Sequence, residues 1–522
     1  MAPTWPALAR LLVLAVGCPG LAASRARPVA WSIAGSDSGG GAGLQADLLT
    51  FNALGVHGCT APTALTAQSS VEVRRVEYPS GDMLRATLST LHDDLPADAI
   101  KIGMCGSTDT IVDVAAFLSA QCKGVDVVCD PVMVSSSGTR LLDEEAVTAL
   151  TKCLFPCCRL VTPNLPEAEA LSGRQLRTPA EVEGAAAELL ALGCAAVLIK
   201  GGHASEAPGG EGVSQDYFTD GETRCWLSSP RLPTSNTHGS GCTLSSAITA
   251  LLARGLPLLD AVTLAKAYVS QGIAAAEQVG AGPGPVAHTG WPSSSDAMPH
   301  ISASAEAGAA APSFAPCDEG EMRCVLPIAD SAKLIAEIVS HGVRHVQLRM
   351  KDKTTEEISA EVAEAQAACA AQGARLWVND HWRSAVAAGA YGVHVGQEDL
   401  EAMGADALDE LCRSGLRLGV STHSYAELAI ALGVRPSYIS LGPIYETTSK
   451  DVSRWDPQGL ERIAHWRSLL PPGMPLVAIG GISLERAPGV LEAGADGIAV
   501  IGAITKASDR AHAIAQWHAV WS

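Results

Sequence analysis

The chain has 522 residues, of which 47% are hydrophobic and 17% charged; this excludes both a single compact core and a disordered polymer, and predicts two or three domains. Its 36 Lys and Arg against 55 Asp and Glu leave a net charge of −19, which excludes a basic duplex-binding footprint but not phosphate substrates held by local cations and amides. The 15 Cys are scattered and odd in number, as reduced thiols are; Cys153, Cys157 and Cys158 cluster, but no second ligand pair follows at zinc spacing.

The first residues differ from the rest. Leu8–Val16 is a short apolar run, followed by Ala22, Ala23 and Ser24 and then by Arg25 and Arg27. It is too short to span a bilayer and reads as a targeting leader over residues 1–27. No later stretch is apolar for long enough to be a membrane helix.

Val29–Gly35 predicts a strand running into a glycine-rich turn, SDSGGGAG, that opens a helix; neither the Walker nor the dinucleotide spacing is met. Strands are expected at Ala61–Thr66, Ala99–Met104, Val125–Val132, Arg159–Asn164 and Ala195–Gly201. Helices at Met83–Leu91, Thr110–Ala120 and Pro179–Leu192 alternate with them, which predicts a parallel sheet covered on both faces. Gln215–Thr219 and Thr223–Leu227 flank Asp220-Gly221, a hairpin signal. Asn236 to Cys242, NTHGSGC, precedes the apolar helix Thr243–Leu252; small residues there leave amides free at the positive end of the helix, an anion site whose field is expected to acidify Cys242.

From Pro292 to Glu321 the chain is rich in Ala, Ser, Pro and Gly, with neither helical nor strand periodicity. It reads as a flexible linker over residues 292–321, about 30 Å in span, between units at 28–291 and 322–522. Beyond it come eight short strands, at Cys324–Ala329, His345–Met350, Arg375–Asn379, Tyr391–Val395, Leu416–Val420, Tyr438–Leu441, Leu476–Ile479 and Gly497–Ile501. Helical stretches lie between most of them, the signature of a (β/α)8 barrel. Polar residues gather at the strand ends, where such barrels carry their sites.

In the first half, AGSDSGGGAGLQADL, TALTAQ, KIGM, CDPVM, TPNLPEAEAL, KGGH and NTHGSGCTLS occur in the order found in hydroxymethylpyrimidine kinase/hydroxymethylpyrimidine-phosphate kinase, which this half resembles. The resemblance implies an α/β fold, a ribokinase-like αβα sandwich, that phosphorylates the pyrimidine alcohol and then its monophosphate with ATP. It implies that Gln68 holds the aminopyrimidine edge, with Met104 and Val132 near the ring, and that Lys200 lies near the ATP phosphates. Gly239, Ser240 and Gly241 would form the anion hole and Cys242 would be the base. Asp37, Asp47, Asn164 and Glu167 would be active-site or magnesium-side groups. A neutral amide such as Gln68 suits an aminopyrimidine because it both donates and accepts.

The second half, with VQLRMKDK, LWVNDHW, YGVHVGQEDL, RLGVSTHS, SLGPIYETTSK, VAIGGIS and ADGIAVIGAI, is similar to thiamin phosphate synthase, a TIM (β/α)8 barrel. The implied reaction couples the pyrimidine methyl diphosphate to a thiazole phosphate and releases pyrophosphate. By the same resemblance Asp380 and Asp399 bind Mg2+, and Gln347, Arg349, Lys351, Asn379, Ser421 and Lys450 bind the pyrimidine diphosphate. Thr447, Ser449, Gly481, Ile501 and Gly502 hold the thiazole phosphate, with Gly502 standing where the family usually has Ser. The chemistry asks for cations and a hard metal around the departing pyrophosphate, and for no protein nucleophile.

The product expected of the first half is the substrate expected of the second. Partners are therefore small molecules, with no nucleic acid and no membrane span and with homo-oligomers allowed; import into plastids is expected from the leader, with a cytoplasmic enzyme as the alternative. Two rivals are a pyridoxal-type kinase in the first half and a sensor with one inactive half. The first is disfavoured by TALTAQ and NTHGSGC, the second by the intact charged residues.

Overall fold

The computed structural model describes residues 27–133, 142–202, 212–305, 313–447 and 455–521. The first unit runs through β1 (Val29–Gly35), α1 (Gly43–Ala53), β2 (His57–Gln68), β3 (Val73–Glu77), α2 (Gly81–Asp94), β4 (Ala99–Ile102), α3 (Thr108–Gln121), β5 (Asp126–Cys129), α4 (Glu144–Ala149), β6 (Leu160–Val161), α5 (Leu165–Ser172), α6 (Pro179–Leu190), β7 (Val197–Lys200), β8 (Val213–Thr219), β9 (Arg224–Pro230), α7 (Ser240–Ala253), α8 (Leu258–Ala274) and β10 (His300–Ser302).

These strands form one sheet in the order β10-β9-β8-β7-β6-β5-β4-β1-β2-β3, parallel from β7 to β2 and antiparallel at both margins. Side chains on one face meet Phe51, Leu244, Ile248 and Leu251 from α1 and α7; those on the other meet Leu88, Val114 and Leu189 from α2, α3 and α6. This is the expected ribokinase-like sandwich. β1 lies between β2 and β4, so the strand order reverses there and leaves a crevice at the carboxyl ends of the strands.

The second unit contains β11 (Val325–Ala329), α9 (Ala332–Ser340), β12 (His345–Leu348), α10 (Thr355–Ala371), β13 (Arg375–Asn379), α11 (Trp382–Ala388), β14 (Gly392–Val395), α12 (Gln397–Arg413), β15 (Arg417–Thr422), α13 (Tyr425–Gly433), β16 (Tyr438–Leu441), α14 (Gly459–Leu469), β17 (Leu476–Ile479), α15 (Ala487–Glu492), β18 (Gly497–Val500), α16 (Gly502–Thr505) and α17 (Arg510–His518). Its eight strands close into a parallel barrel, β18 pairing back to β11. Trp377, Tyr438, Leu326, Ile328, Val477 and Ala499 fill its interior. All eight strands were expected from short apolar runs bounded by polar ends.

The linker expectation needs correction. Within 292–321, His300–Ser302 pairs antiparallel with β9 and adds a tenth strand to the sheet, and Met298, Phe314 and Cys317 are buried. Three residues of strand carry no periodicity, so the pairing comes from the open edge of β9 rather than from local pattern. Arg27, assigned to the leader, is tied to the first unit through Gly55 O and Asn52 Oδ1. The rest of the leader lies outside the described residues. No helix among the described residues is long and apolar enough to cross a membrane.

Candidate active sites

In the first unit the expected residues gather at the carboxyl edge of the sheet. Gln68 ends β2, Met104 follows β4, and Asp130 and Val132 follow β5; Asn164 follows β6 and Lys200 ends β7. α7 points its amino end into this edge. Its N-cap, Gly239, has φ +76, and a Cβ there would strike the Gly41 carbonyl, so only glycine allows the two loops to touch. The glycine-rich loop is drawn in by Asp37, whose carboxylate accepts from the amides of Gly39 (2.8 Å), Gly41 (3.1 Å) and Ala42 (2.9 Å), with His238 Nε2 at 3.1 Å. Burial opposes the charge on Asp37, but these partners, His238 foremost, hold its carboxyl below the usual range.

Lys200 Nζ lies 2.6 Å from Asp130 Oδ1, and the open face of Gly241 looks onto both side chains. Glu167 and Asn164 form a reciprocal capping box at the start of α5. Burial pushes Glu167 up to about 7, against the pull of Lys200 and with the push of Asp130.

Two expectations for this site are corrected. Asp47 is not open to a ligand. Its carboxylate is fully buried, accepting from Lys101 Nζ (2.8 Å), Ser32 Oγ (2.5 Å) and Ser246 Oγ (2.6 Å), and it ties α1, β4, β1 and α7 together beneath the loops. The half-buried Cys242 lies in surroundings that oppose the acidification expected from the helix end. Burial, the largest effect, pushes its thiol up to about 11; Asp47 and Asp130 add to the rise, and Lys101 offsets only part of it. Two residues absent from the sequence-based site, Asp130 and His238, belong to it. Each sits inside a quoted motif, as the charged group just after an apolar strand and as the ring between Thr237 and Gly239.

In the barrel, Gln347, Arg349, Asn379, His394, Ser421, Tyr438 and Ile501 line an inner cavity. It shares Ser421, Ile479, Ala499 and Ile501 with an outer one of about 160 Å3, which Thr447, Gly480, Gly481 and Gly502 also line. Gly481 has φ +62, and a Cβ there would meet the Glu446 carbonyl. The ring of His394, unforeseen in the sequence, joins core to site. Its Nδ1 stands 2.6 Å from Tyr438 Oη and its Nε2 2.8 Å from Ser421 Oγ. It follows the inward alternation of strand Gly-Val-His-Val, the one signal that could have placed it.

Asp380 follows β13 in the left-handed region, φ +65, and its amide donates to His394 O at 2.9 Å. Asp399 is the third residue of α12, directly after β14, the neighbour of β13. Among the described residues no three His, Cys, Asp or Glu side chains converge on a metal position. Asp380 and Asp399 offer the kind of oxygen donor that Mg2+ takes, with waters and substrate phosphates as its other ligands. Lys351 is exposed on the loop after β12 and lines neither cavity. Ser449 and Lys450 lie outside the described residues.

Residues 37–287 match the model of the phosphomethylpyrimidine kinase family, and residues 321–504 that of the thiamine monophosphate synthase family. A hydroxymethylpyrimidine/phosphomethylpyrimidine kinase of Rhizobium meliloti is 47% identical over 50% of this chain and 96% of its own. The probable chloroplastic thiamine biosynthetic bifunctional enzyme of Oryza sativa is 32% identical over 95% of this chain and 89% of its own; that of Arabidopsis thaliana is 33% identical over 91% and 90%. Among solved structures, the phosphomethylpyrimidine kinase of Clostridium difficile is 37% identical, with a TM-score of 0.42 over 47% of this chain and all of its own. The chain thus belongs to the family of bifunctional thiamine biosynthetic enzymes, with a phosphomethylpyrimidine kinase domain followed by a thiamine monophosphate synthase domain.

Proposed function

We propose that the first unit phosphorylates 4-amino-5-hydroxymethyl-2-methylpyrimidine and then its monophosphate, with ATP as co-substrate, and that the barrel joins the resulting diphosphate to hydroxyethylthiazole phosphate. The products are thiamin monophosphate and pyrophosphate. The observation that carries this reading is the pairing, in one chain, of two sites whose chemistries are consecutive.

In the kinase unit, Gln68 binds the aminopyrimidine edge, with Met104 and Val132 beside the ring. The amides of Gly239, Ser240 and Gly241 and the ammonium of Lys200 face the transferring phosphoryl group. Phosphoryl transfer is mostly positioning and charge stabilisation, which a helix end and a fixed cation supply. Cys242 is the base that takes the hydroxyl proton. Only its thiolate can do so, and with the thiol pushed up to about 11 in the substrate-free protein that form is scarce, so the step needs added positive charge beside the sulfur, as a cation carried in with ATP would supply.

In the barrel, Gln347, Asn379 and Ser421 orient the pyrimidine diphosphate, with Arg349, Lys351 and Lys450 around its charge. Thr447, Ser449, Gly481, Ile501 and Gly502 hold the thiazole phosphate. Asp380 and Asp399 would hold Mg2+, which when bound neutralises the diphosphate. Closing apposition of ring nitrogen and methylene carbon is the barrel's own contribution. The chloroplastic naming of the rice and Arabidopsis relatives supports plastid import for this chain too.

The test is one reaction. Purified protein given the pyrimidine alcohol, ATP, Mg2+ and thiazole phosphate yields thiamin monophosphate, and omitting any one of the four stops it. Product formed without the thiazole phosphate, or none with all four, would refute the reading.

A further inference from the structure

The two units meet where α8 of the kinase sandwich abuts α13 of the barrel. Asp260, third residue of α8, is 3% exposed, and its Oδ1 accepts from the Ala426 amide of α13 at 2.9 Å. The Tyr425 amide and the Ser424 hydroxyl face the same carboxylate. First-turn amides have no partner within their own helix, and α8 and α13 both bring their positive ends to this point. One buried carboxylate, itself in the first turn of α8, accepts from the amides of α13.

What α13 carries gives this contact its meaning. It follows β15 after two residues, and β15 ends on Ser421 and Thr422. His423, between strand and helix, is fastened to α13 twice: its amide and its Nδ1 each lie 2.8 Å from Glu427 Oε2. Gln397 Nε2, in turn, donates to Ser421 O at 2.7 Å. A shift of the amino end of α13 therefore moves residues that line the synthase cavities.

The first unit bears on the other end of α13 as well. The His300 ring occupies the space that a side chain on Gly433 would need. Back at the amino end, Trp291 stacks on His465 at 5.1 Å, and His465 Nδ1 lies 3.1 Å from the Oη of Tyr425, the first residue of α13.

We propose that Asp260, a residue of the kinase unit, is a positioning residue for the synthase: by capping α13 it fixes the loop that places Ser421 and His423. The proposal rests on the reading of the barrel as a synthase. It is specific about direction, since the kinase's own groups lie at the far edge of its sheet and do not depend on this cap.

The test compares Asp260→Ala with Asp260→Asn in the full chain, measuring both activities in the same preparations. Asp260→Ala lowers synthase kcat/KM on the order of tenfold, chiefly through KM for the pyrimidine diphosphate, while Asp260→Asn, which keeps an acceptor oxygen, restores most of it. Kinase constants stay within about twofold in both variants. Amide exchange at Tyr425 and Ala426 accelerates in Asp260→Ala and not in Asp260→Asn. Unchanged synthase constants in Asp260→Ala, or equal loss of both activities, would overturn the inference. A wild-type chain without synthase activity would overturn instead the reading on which it stands.

Discussion

Asp37 and His238 stand 201 positions apart in the chain, yet His238 Nε2 lies 3.1 Å from the Asp37 carboxylate. The pair closes the glycine-rich loop after β1 over the amino end of α7. Asp37 also collects three backbone amides, so it organises its loop and anchors it in one residue. His238→Ala releases the anchor and leaves the amides in place. Kinase kcat/KM is expected to fall between about tenfold and a hundredfold, the range for a hydrogen bond to a charged group. Synthase turnover in the same sample should be untouched; steady-state assays of both steps decide.

Cys242 gives a second, chemically distinct expectation. With its thiol pushed up to about 11, only about a thousandth of it is thiolate at pH 8 in the substrate-free protein. Peptide-resolved alkylation should show Cys242 reacting far more slowly than it does in the urea-denatured chain. Cys242→Ala should abolish the kinase and spare the synthase. Rapid alkylation at pH 8 would show the surrounding charge to be other than described.

Gly481 tests the outer barrel cavity. Its φ of +62 and the Glu446 carbonyl beside it leave no room for a Cβ. Gly481→Ala is expected to raise KM for the thiazole phosphate about tenfold or more and to lower stability by about 1–2 kcal/mol. Asp380→Asn should remove synthase activity at any accessible substrate concentration while the kinase persists. Loss of both activities in folded protein would mean that the two sites are not separate.

His345 sets the acid limit of the barrel. Burial above all, with Arg344 and Arg417, drives its ring down to about 4. The geometry agrees, because Trp377 Nε1, which can only donate, points at His345 Nδ1 at 3.2 Å and so requires that nitrogen unprotonated. Since the unfolded chain binds this proton near pH 6.5 and the folded chain only near 4, stability is full above 6.5 and declines as pH falls through that window. The loss amounts to roughly 3 kcal/mol. Urea unfolding of wild type and His345→Gln at pH 7 and pH 4.5 should show the wild-type advantage shrinking at the lower pH.

The barrel strands could be read from the chain because each is a short apolar run stopped by polar residues, a local pattern that survives folding unaltered. The same holds for Gln347, Arg349, Asn379, Ser421 and Gly481, which the barrel brings to its carboxyl rim. What the sequence could not yield depends on neighbours from elsewhere. Asp47 looks like any carboxylate on an opening helix until Lys101, Ser32 and Ser246 enclose it. Cys242 sits at a helix end that would acidify an exposed thiol, and only tertiary burial reverses the sign. β10 lies in a stretch of Ser, Pro and Ala with no periodicity, and it is a strand because β9 offers unpaired amides and carbonyls.

That last strand bears on where the chain can be cut. Without residues beyond Trp291, β9 would become an outer rim whose hydrogen-bonding groups face solvent, an invitation to pair with another molecule. Gln215 would also lose the Ala305 carbonyl that its side-chain amide holds at 2.8 Å. An excised first half ending at Trp291 should therefore aggregate, whereas one extended through Ala305 keeps its margin covered.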